Sequence, residues 1–244
     1  MKYPSFVNGS SPAPSGNADA EHTVNMYVER NESPGATGAD ALYPFPGVRL
    51  LGTASGSPGR AHFAESGREW AVFGTVFGEI AEDGTFTSKG TVAADSNPAS
   101  IHSNGDGGGQ LLIVSGSNAY SYDIVSEVLA QIAALNGKAT HGNYLDVYGL
   151  VLDENTSTLY ISALLDFTSW TTGTDFAQRS AASDSWVSMT VLGIYIALLG
   201  EKTSEFWYDA GGASFPFAKH PSGGPIPHGI AAGFSFAVGE GSLF

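Results

Sequence analysis

The sequence predicts an all-β fold of propeller-like blades about 40 residues long, with an extended N-terminal arm and a last blade left incomplete. Three observations carry this. A strand–turn–strand unit recurs from Trp70 to the end of the chain, at a spacing in the range of propeller blades. The 32 glycines and 12 prolines are dispersed, so they mark frequent turns and not a low-complexity tract. Hydrophobic residues make up 42% and charged residues 14%, enough apolar surface for a sizeable core.

Residues 1 to about 20 read as an arm, because Asn8–Gly16 has turn chemistry and almost no apolar content. A short strand is expected at Thr23–Glu29, then a loop over Asn31–Gly38. Tyr43-Pro44-Phe45-Pro46-Gly47-Val48 follows, its prolines favouring extended backbone. The division is therefore 1–60 for the arm and extended segment and 61–244 for the blade-bearing domain.

The first copy of the repeat is Trp70–Gly74 with Phe77–Ile80. The second is Leu111–Gly116 with Ala119–Asp123, the third Gly149–Asp153 with Thr158–Ser162, and the fourth Ile194–Gly200 with Glu205–Asp209. A fifth begins at Phe234–Gly239, and the chain stops at Phe244. Hairpins are expected near 70–93, 111–132, 145–165 and 190–210. One small sheet cannot bury both faces, and packing blades around an axis solves that. An irregular β-sandwich is the alternative. Ile124, Val125, Val128, Leu129, Ile132 and Ala133 show helical spacing where the second copy needs outer strands. A short helix over 126–134 and a strand both stay open.

Composition narrows the chemistry. There is no cysteine, which excludes disulfides, thiolate metal sites and cysteine nucleophiles. The opening residues lack the apolar stretch of a signal peptide. The longest apolar run, Val191–Leu199, is too short to span a bilayer. A soluble product without membrane insertion is expected. The formal charge of −14 opposes gripping a phosphate backbone, and suits either plain solubility or a wall past which DNA slides.

No catalytic, cofactor or metal residue emerges. No two of His22, His62, His102, His141, His220 and His228 share helical zinc spacing. Ser55–Gly59 lacks the strand that leads into a nucleophile elbow, and Asn104–Gly109 lacks the closing glutamate of an EF-hand. Asp153, Glu154, Asp166, Asp175 and Asp184 cluster in sequence, but glycoside hydrolysis needs two carboxyls facing across one bond. A carbohydrate-active or carbohydrate-binding propeller stands as the alternative function. Tyr43, Phe45, Trp170, Phe206, Trp207 and Tyr208 are candidates for core or subunit contacts.

The block Leu198–Gly211, with Gly200-Glu201-Lys202-Thr203-Ser204 ahead of Glu205-Phe206-Trp207-Tyr208, resembles one in tail hub or nozzle proteins of short-tailed bacteriophages, the "packaged DNA stabilisation protein" family. Asp166-Phe167-Thr168-Ser169-Trp170 followed by Asp175-Phe176-Ala177 is similar to another family stretch. So are Val24-Asn25-Met26-Tyr27 with Pro46-Gly47-Val48, and Pro227-His228-Gly229-Ile230. The resemblance implies a non-enzymatic virion tail protein, assembled in the host cytoplasm, with no catalytic residues and no cofactor. It implies a sixfold homo-oligomeric ring below the portal and its adaptor. Such a ring carries tail fibres or spikes and a needle, lets DNA pass without binding it, and retains the packaged genome. Family members run longer, so the hub domain at 61–244 is expected either to be a fragment or to close with another chain.

Overall fold

The computed structural model of the chain describes residues 25–29, 41–179, 182–213, 215–221, 225–239 and 241–244. The chain divides into two compact units, Met1–Leu50 and Leu51–Phe244.

In the first unit, β1 (Met26–Glu29) pairs antiparallel with β2 (Ala41–Pro44), Tyr27 opposite Tyr43. The ribbon is closed by Phe45 N–H donating to the Asn25 carbonyl at 3.0 Å. The N-terminal part of the strand expected from Thr23 lies outside the described residues.

The second unit is a series of four-stranded antiparallel meanders. Blade 1 comprises β3 (Gly59–Glu65), β4 (Arg68–Phe73), β5 (Val76–Ile80) and β6 (Phe86–Thr91). Blade 2 comprises β7 (Ser100–Ser103), β8 (Gln110–Ser115), β9 (Asn118–Asp123) and β10 (Val128–Gln131). Blade 3 comprises β11 (His141–Leu145), β12 (Tyr148–Asp153), β13 (Thr158–Ile161) and β14 (Phe176–Gln178). Blade 4 comprises β15 (Trp186–Leu192), β16 (Tyr195–Gly200), β17 (Ser204–Asp209) and β18 (Phe217–Lys219). A two-stranded hairpin follows, β19 (Val238–Gly239) and β20 (Ser242–Leu243).

The recurring sequence unit is the second and third strand of each blade. The first strands β3, β7, β11 and β15 lie beside one another from blade to blade, so they are innermost. The second strands of blades 2 and 3, β8 and β12, sit between two neighbouring sheets, which is why they read as unbroken apolar runs. Alternation then assigns each residue to a neighbour. Leu111 and Ile113 pack with Trp70, Val72 and Phe77 of blade 1. Leu112 and Val114 pack with Val151 and Tyr160 of blade 3. Leu150, Leu152, Leu159 and Ile161 pack with Ile196, Leu198 and Trp186 of blade 4. Each fully buried aliphatic side chain contributes roughly 1.5–3 kcal/mol.

The segment with helical spacing forms the outer strand β10 and one turn of 3-10 helix at Ala133–Leu135. Leu135 is fully buried between blades 2 and 3 together with Ile132, while Val125 and Val128 face solvent. No helix of the described residues is long and apolar enough to cross a membrane.

Candidate functional site

The Asp166–Trp170 and Gly200–Ser204 motifs lie at the junctions between blades. At the junction of blades 2 and 3, Phe167 is fully buried and its N–H donates to Gln110 Oε1 at 2.7 Å. Asn104 Nδ2 donates to the Leu165 carbonyl at 2.9 Å. Trp170 Nε1 closes the loop on the Phe167 carbonyl at 2.7 Å. Asp166 accepts from the Thr168 N–H at 2.8 Å and hydroxyl at 2.6 Å. Burial raises its pKa, but these bonds and the Gln110 amide bring it below the ordinary carboxylate value. The Phe167 ring lies over Gly149, where a Cβ would stand 2.7 Å from it. The Asp166–Trp170 motif is thus a packed knot, and Asn104–Gly109 is the turn that receives it.

At the junction of blades 3 and 4, Arg179 leaves the end of β14 with its side chain 2% exposed. It lies 3.2 Å from Asp184 and 3.6 Å from Glu205, and donates to the Thr203 carbonyl and hydroxyl. Asp184 also accepts from the Lys202 and Thr203 N–H groups at 2.9 and 3.0 Å. Burial pushes the Asp184 carboxyl up, but these donors, the Thr203 hydroxyl and Arg179 together hold it at about 2. Glu205 accepts from Trp207 Nε1 at 3.1 Å and faces Lys219 Nζ at 3.2 Å. The Gly200–Ser204 turn is therefore a socket for Arg179. Gly229 lies so close to the Gly200 and Glu201 backbone that a Cβ would overlap them, which gives the Pro227–Ile230 motif its reason.

Arg60 does the same between blades 1 and 2. It reaches Asp95 at 2.6 Å, the Asn97 carbonyl at 2.8 Å and Ser115 Oγ at 2.7 Å. Neither Arg60 nor Arg179 stood out in the sequence. A basic residue at the edge of a strand carries no local sign that a neighbouring blade will bury it.

The other candidates are dispersed. Asp153 caps its own turn through the Asn155 N–H and Thr156 hydroxyl. Burial and the neighbouring Asp153 raise the Glu154 pKa. Asp175 accepts from Thr174. Packing around the inner-strand His102 pushes it down to about 4, against a hydrogen bond with the Gly142 backbone. His141 is pushed down by burial; its Nε2 donates to the Gly233 carbonyl at 3.1 Å and its ring stacks on Phe234. His62 faces Glu69 at the surface, and His220 packs against Tyr195 and Tyr208. His22 lies outside the described residues. Among the described residues no three His, Asp or Glu side chains gather as a metal set.

Of the sequence-chosen aromatics, Trp170 is core, Phe206, Trp207 and Tyr208 are half-buried, and Tyr43 and Phe45 are exposed. Tyr27 stacks on Tyr43 at 5.9 Å and meets Phe45 at 5.3 Å. Among the described residues, Arg60, Arg68, Lys89, Arg179 and Lys219 stand against carboxylates.

The family described as bacteriophage P22 Gp10, β-propeller, matches residues 6–242. No curated protein sequence matches the chain. The computationally designed Ika8 protein is similar in fold, with a TM-score of 0.53 at 9% identity, over 91% of this chain and 65% of its own. A putative 6-phosphogluconolactonase from Bacteroides uniformis gives 0.53 at 10% identity, over 88% of this chain and 67% of its own. A streptogramin B lyase gives 0.49 at 10% identity, over 80% of this chain and 61% of its own. The chain thus spans less than two thirds of the designed protein and of the lyase. At these identities the likeness concerns fold alone.

Proposed function

The chain belongs to the bacteriophage P22 Gp10 β-propeller family, a family of phage structural proteins, and from that premise we propose that it is a tail hub or nozzle subunit. In this reading copies form a ring, six by the resemblance, below the portal and adaptor. The ring extends the DNA channel, carries fibres or spikes and the needle, and retains the packaged genome until ejection. It does this without enzymatic turnover.

The family match along residues 6–242 carries the proposal. The motifs lend physical support, because they do structural work: the Asp166–Trp170 knot and the Arg179 socket fix one blade against the next. A channel wall needs that rigidity, with turns at both blade ends free for neighbours. The charge favours passage over binding. DNA affinity rises with the number of phosphates that Lys and Arg neutralise, and among the described residues Arg60, Arg68, Lys89, Arg179 and Lys219 are engaged with carboxylates.

The test is a phage lacking this gene. Its particles should package DNA and then lose it, and imaging of complete particles should find the protein in the tail. Particles that keep their DNA and infect normally without the protein would end the proposal.

A further inference from the structure

The sequence holds three Asn-Gly pairs, and the two that the structure describes are held in opposite ways. Asn8-Gly9 lies outside the described residues. Asn104 is 3% exposed. Its Nδ2 donates to the Leu165 carbonyl at 2.9 Å and its Oδ1 accepts from the Gln110 N–H at 2.8 Å, while the Gly105 N–H donates to Ser103 Oγ at 2.9 Å. Asn136 is exposed and follows directly on the 3-10 turn Ala133–Leu135. Its Oδ1 accepts from the exposed Gln131 amide at 3.2 Å, and its Nδ2 donates to no group among the described residues. The Gly137 N–H makes a long bond of 3.3 Å to Asn118 Oδ1.

We propose that Asn136-Gly137 is a site of spontaneous backbone modification, and that the isoaspartate formed there loosens the junction of blades 2 and 3. The Gly137 nitrogen attacks Asn136 Cγ. The N–Cγ bond forms, the Cγ–Nδ2 bond breaks, and the side-chain amide leaves as ammonia with the proton of the attacking nitrogen. Water then opens the succinimide ring. Opening at Cγ leaves aspartate, and opening at the backbone carbonyl carbon leaves isoaspartate, whose main chain runs through Cβ and Cγ. Ring closure requires Asn136 to rotate away from its extended ψ of 95–125°-type backbone, and at Asn136 itself that ψ is 125°. Gly137 has no Cβ to crowd the attacking nitrogen, and an exposed connection opens at little cost in free energy. Asn104 can follow this route only after its buried turn comes apart.

The consequence comes from what the connection joins. Leu135 and Ala139 are fully buried in the core shared by blades 2 and 3, and the Ala139 N–H donates to the Ser117 carbonyl at 3.3 Å. Only residues 136–138 span these two anchors. A methylene added to the main chain there has to be absorbed by shifting one anchor out of a close-packed core, whereas aspartate leaves the main-chain length unchanged. The inference is independent of the tail reading.

The test ages the purified full chain in warm neutral buffer and follows both sites by peptide mass spectrometry, with fragmentation that separates aspartate from isoaspartate. Asn136 should convert faster than Asn104 by roughly tenfold or more, and chains bearing isoaspartate should melt below fresh ones. Asn136→Gln, whose longer side chain closes a ring far more slowly, should keep its melting temperature on ageing. Asn136→Asp, unaged, should melt like the native chain, which separates the added methylene from the added charge. Equal conversion at the two sites, an intact Asn136 after ageing, or isoaspartate chains that melt like fresh ones would each overturn the proposal. So would an unaged Asn136→Asp chain that melts as low as the aged protein, since charge alone would then account for the loss.

Discussion

The Arg179 guanidinium stands 3.2 Å from the Asp184 carboxylate, with the two side chains 2% and 9% exposed. The pair joins the end of blade 3 to the entry of blade 4, with Glu205 on the other side of the guanidinium at 3.6 Å. Removing one partner of a buried ion pair leaves an uncompensated charge, at a cost of about 3–5 kcal/mol. Arg179→Ala should therefore lower stability by that order in denaturant titrations. Arg179→Met, which keeps the apolar stem, still takes the guanidinium away from both carboxylates and should not restore it. Wild-type stability in both variants would show that the socket is not a structural tie.

Acid should weaken the same junction late. Asp184 is held at about 2, below the ordinary carboxylate value near 3.9. Its contribution is present above that ordinary value and lost as pH falls through about 2. Asp184→Asn should be less stable than the native chain at neutral pH, and the difference should shrink as pH drops from 4 to 2. A difference constant with pH would contradict the assignment.

His102 acts in a higher window. The folded chain holds it near 4 against an unfolded value near 6.5, so the unfolded state takes up the proton first. Stability from its neutral form is complete above about 6.5 and falls as pH drops toward 4. His102→Gln should flatten that slope in thermal melts between pH 7 and 4, while an unchanged slope would assign it elsewhere.

The knot between blades 2 and 3 is testable by packing. Phe167→Ala removes a fully buried ring and should cost about 3–5 kcal/mol. Gly149→Ala pushes a methyl group into that ring and should cost about 1–3 kcal/mol by overpacking. In the double variant the two penalties should add to less than their sum, because the methyl then fills part of the space. Strict additivity in unfolding measurements would argue against their contact.

Duplex DNA should not be retained by the purified protein at physiological salt, as measured by fluorescence anisotropy. Tight binding that weakens steeply with added salt would reveal a phosphate-binding surface and refute passage without contact.

The hairpin at the centre of each blade was legible along the chain. Leu111–Val114 and Ile196–Leu199 are buried on both faces, so they stay apolar without alternation, and a glycine turn follows Ser115. The family motifs were legible as patterns too, and the blade spacing with them. The inner strands Gly59–Glu65 and Ser100–Ser103 were not. Their side chains are cut between a neighbouring blade and the axis, which leaves short mixed runs without a period. Helical spacing over 124–133 left strand and helix open for a related reason: Leu129 packs toward blade 1 and Ile132 toward blade 3. Of the five carboxylates clustered in sequence, Asp153 and Asp166 cap separate turns and Asp184 faces Arg179. The roles of Arg60 and Arg179 came only from the fold. Sequence registers what a residue does within its own strand and turn, where the hydrogen-bond pattern is local. The burial of an arginine against carboxylates from another blade depends on which sheets stack, and only the tertiary structure decides that.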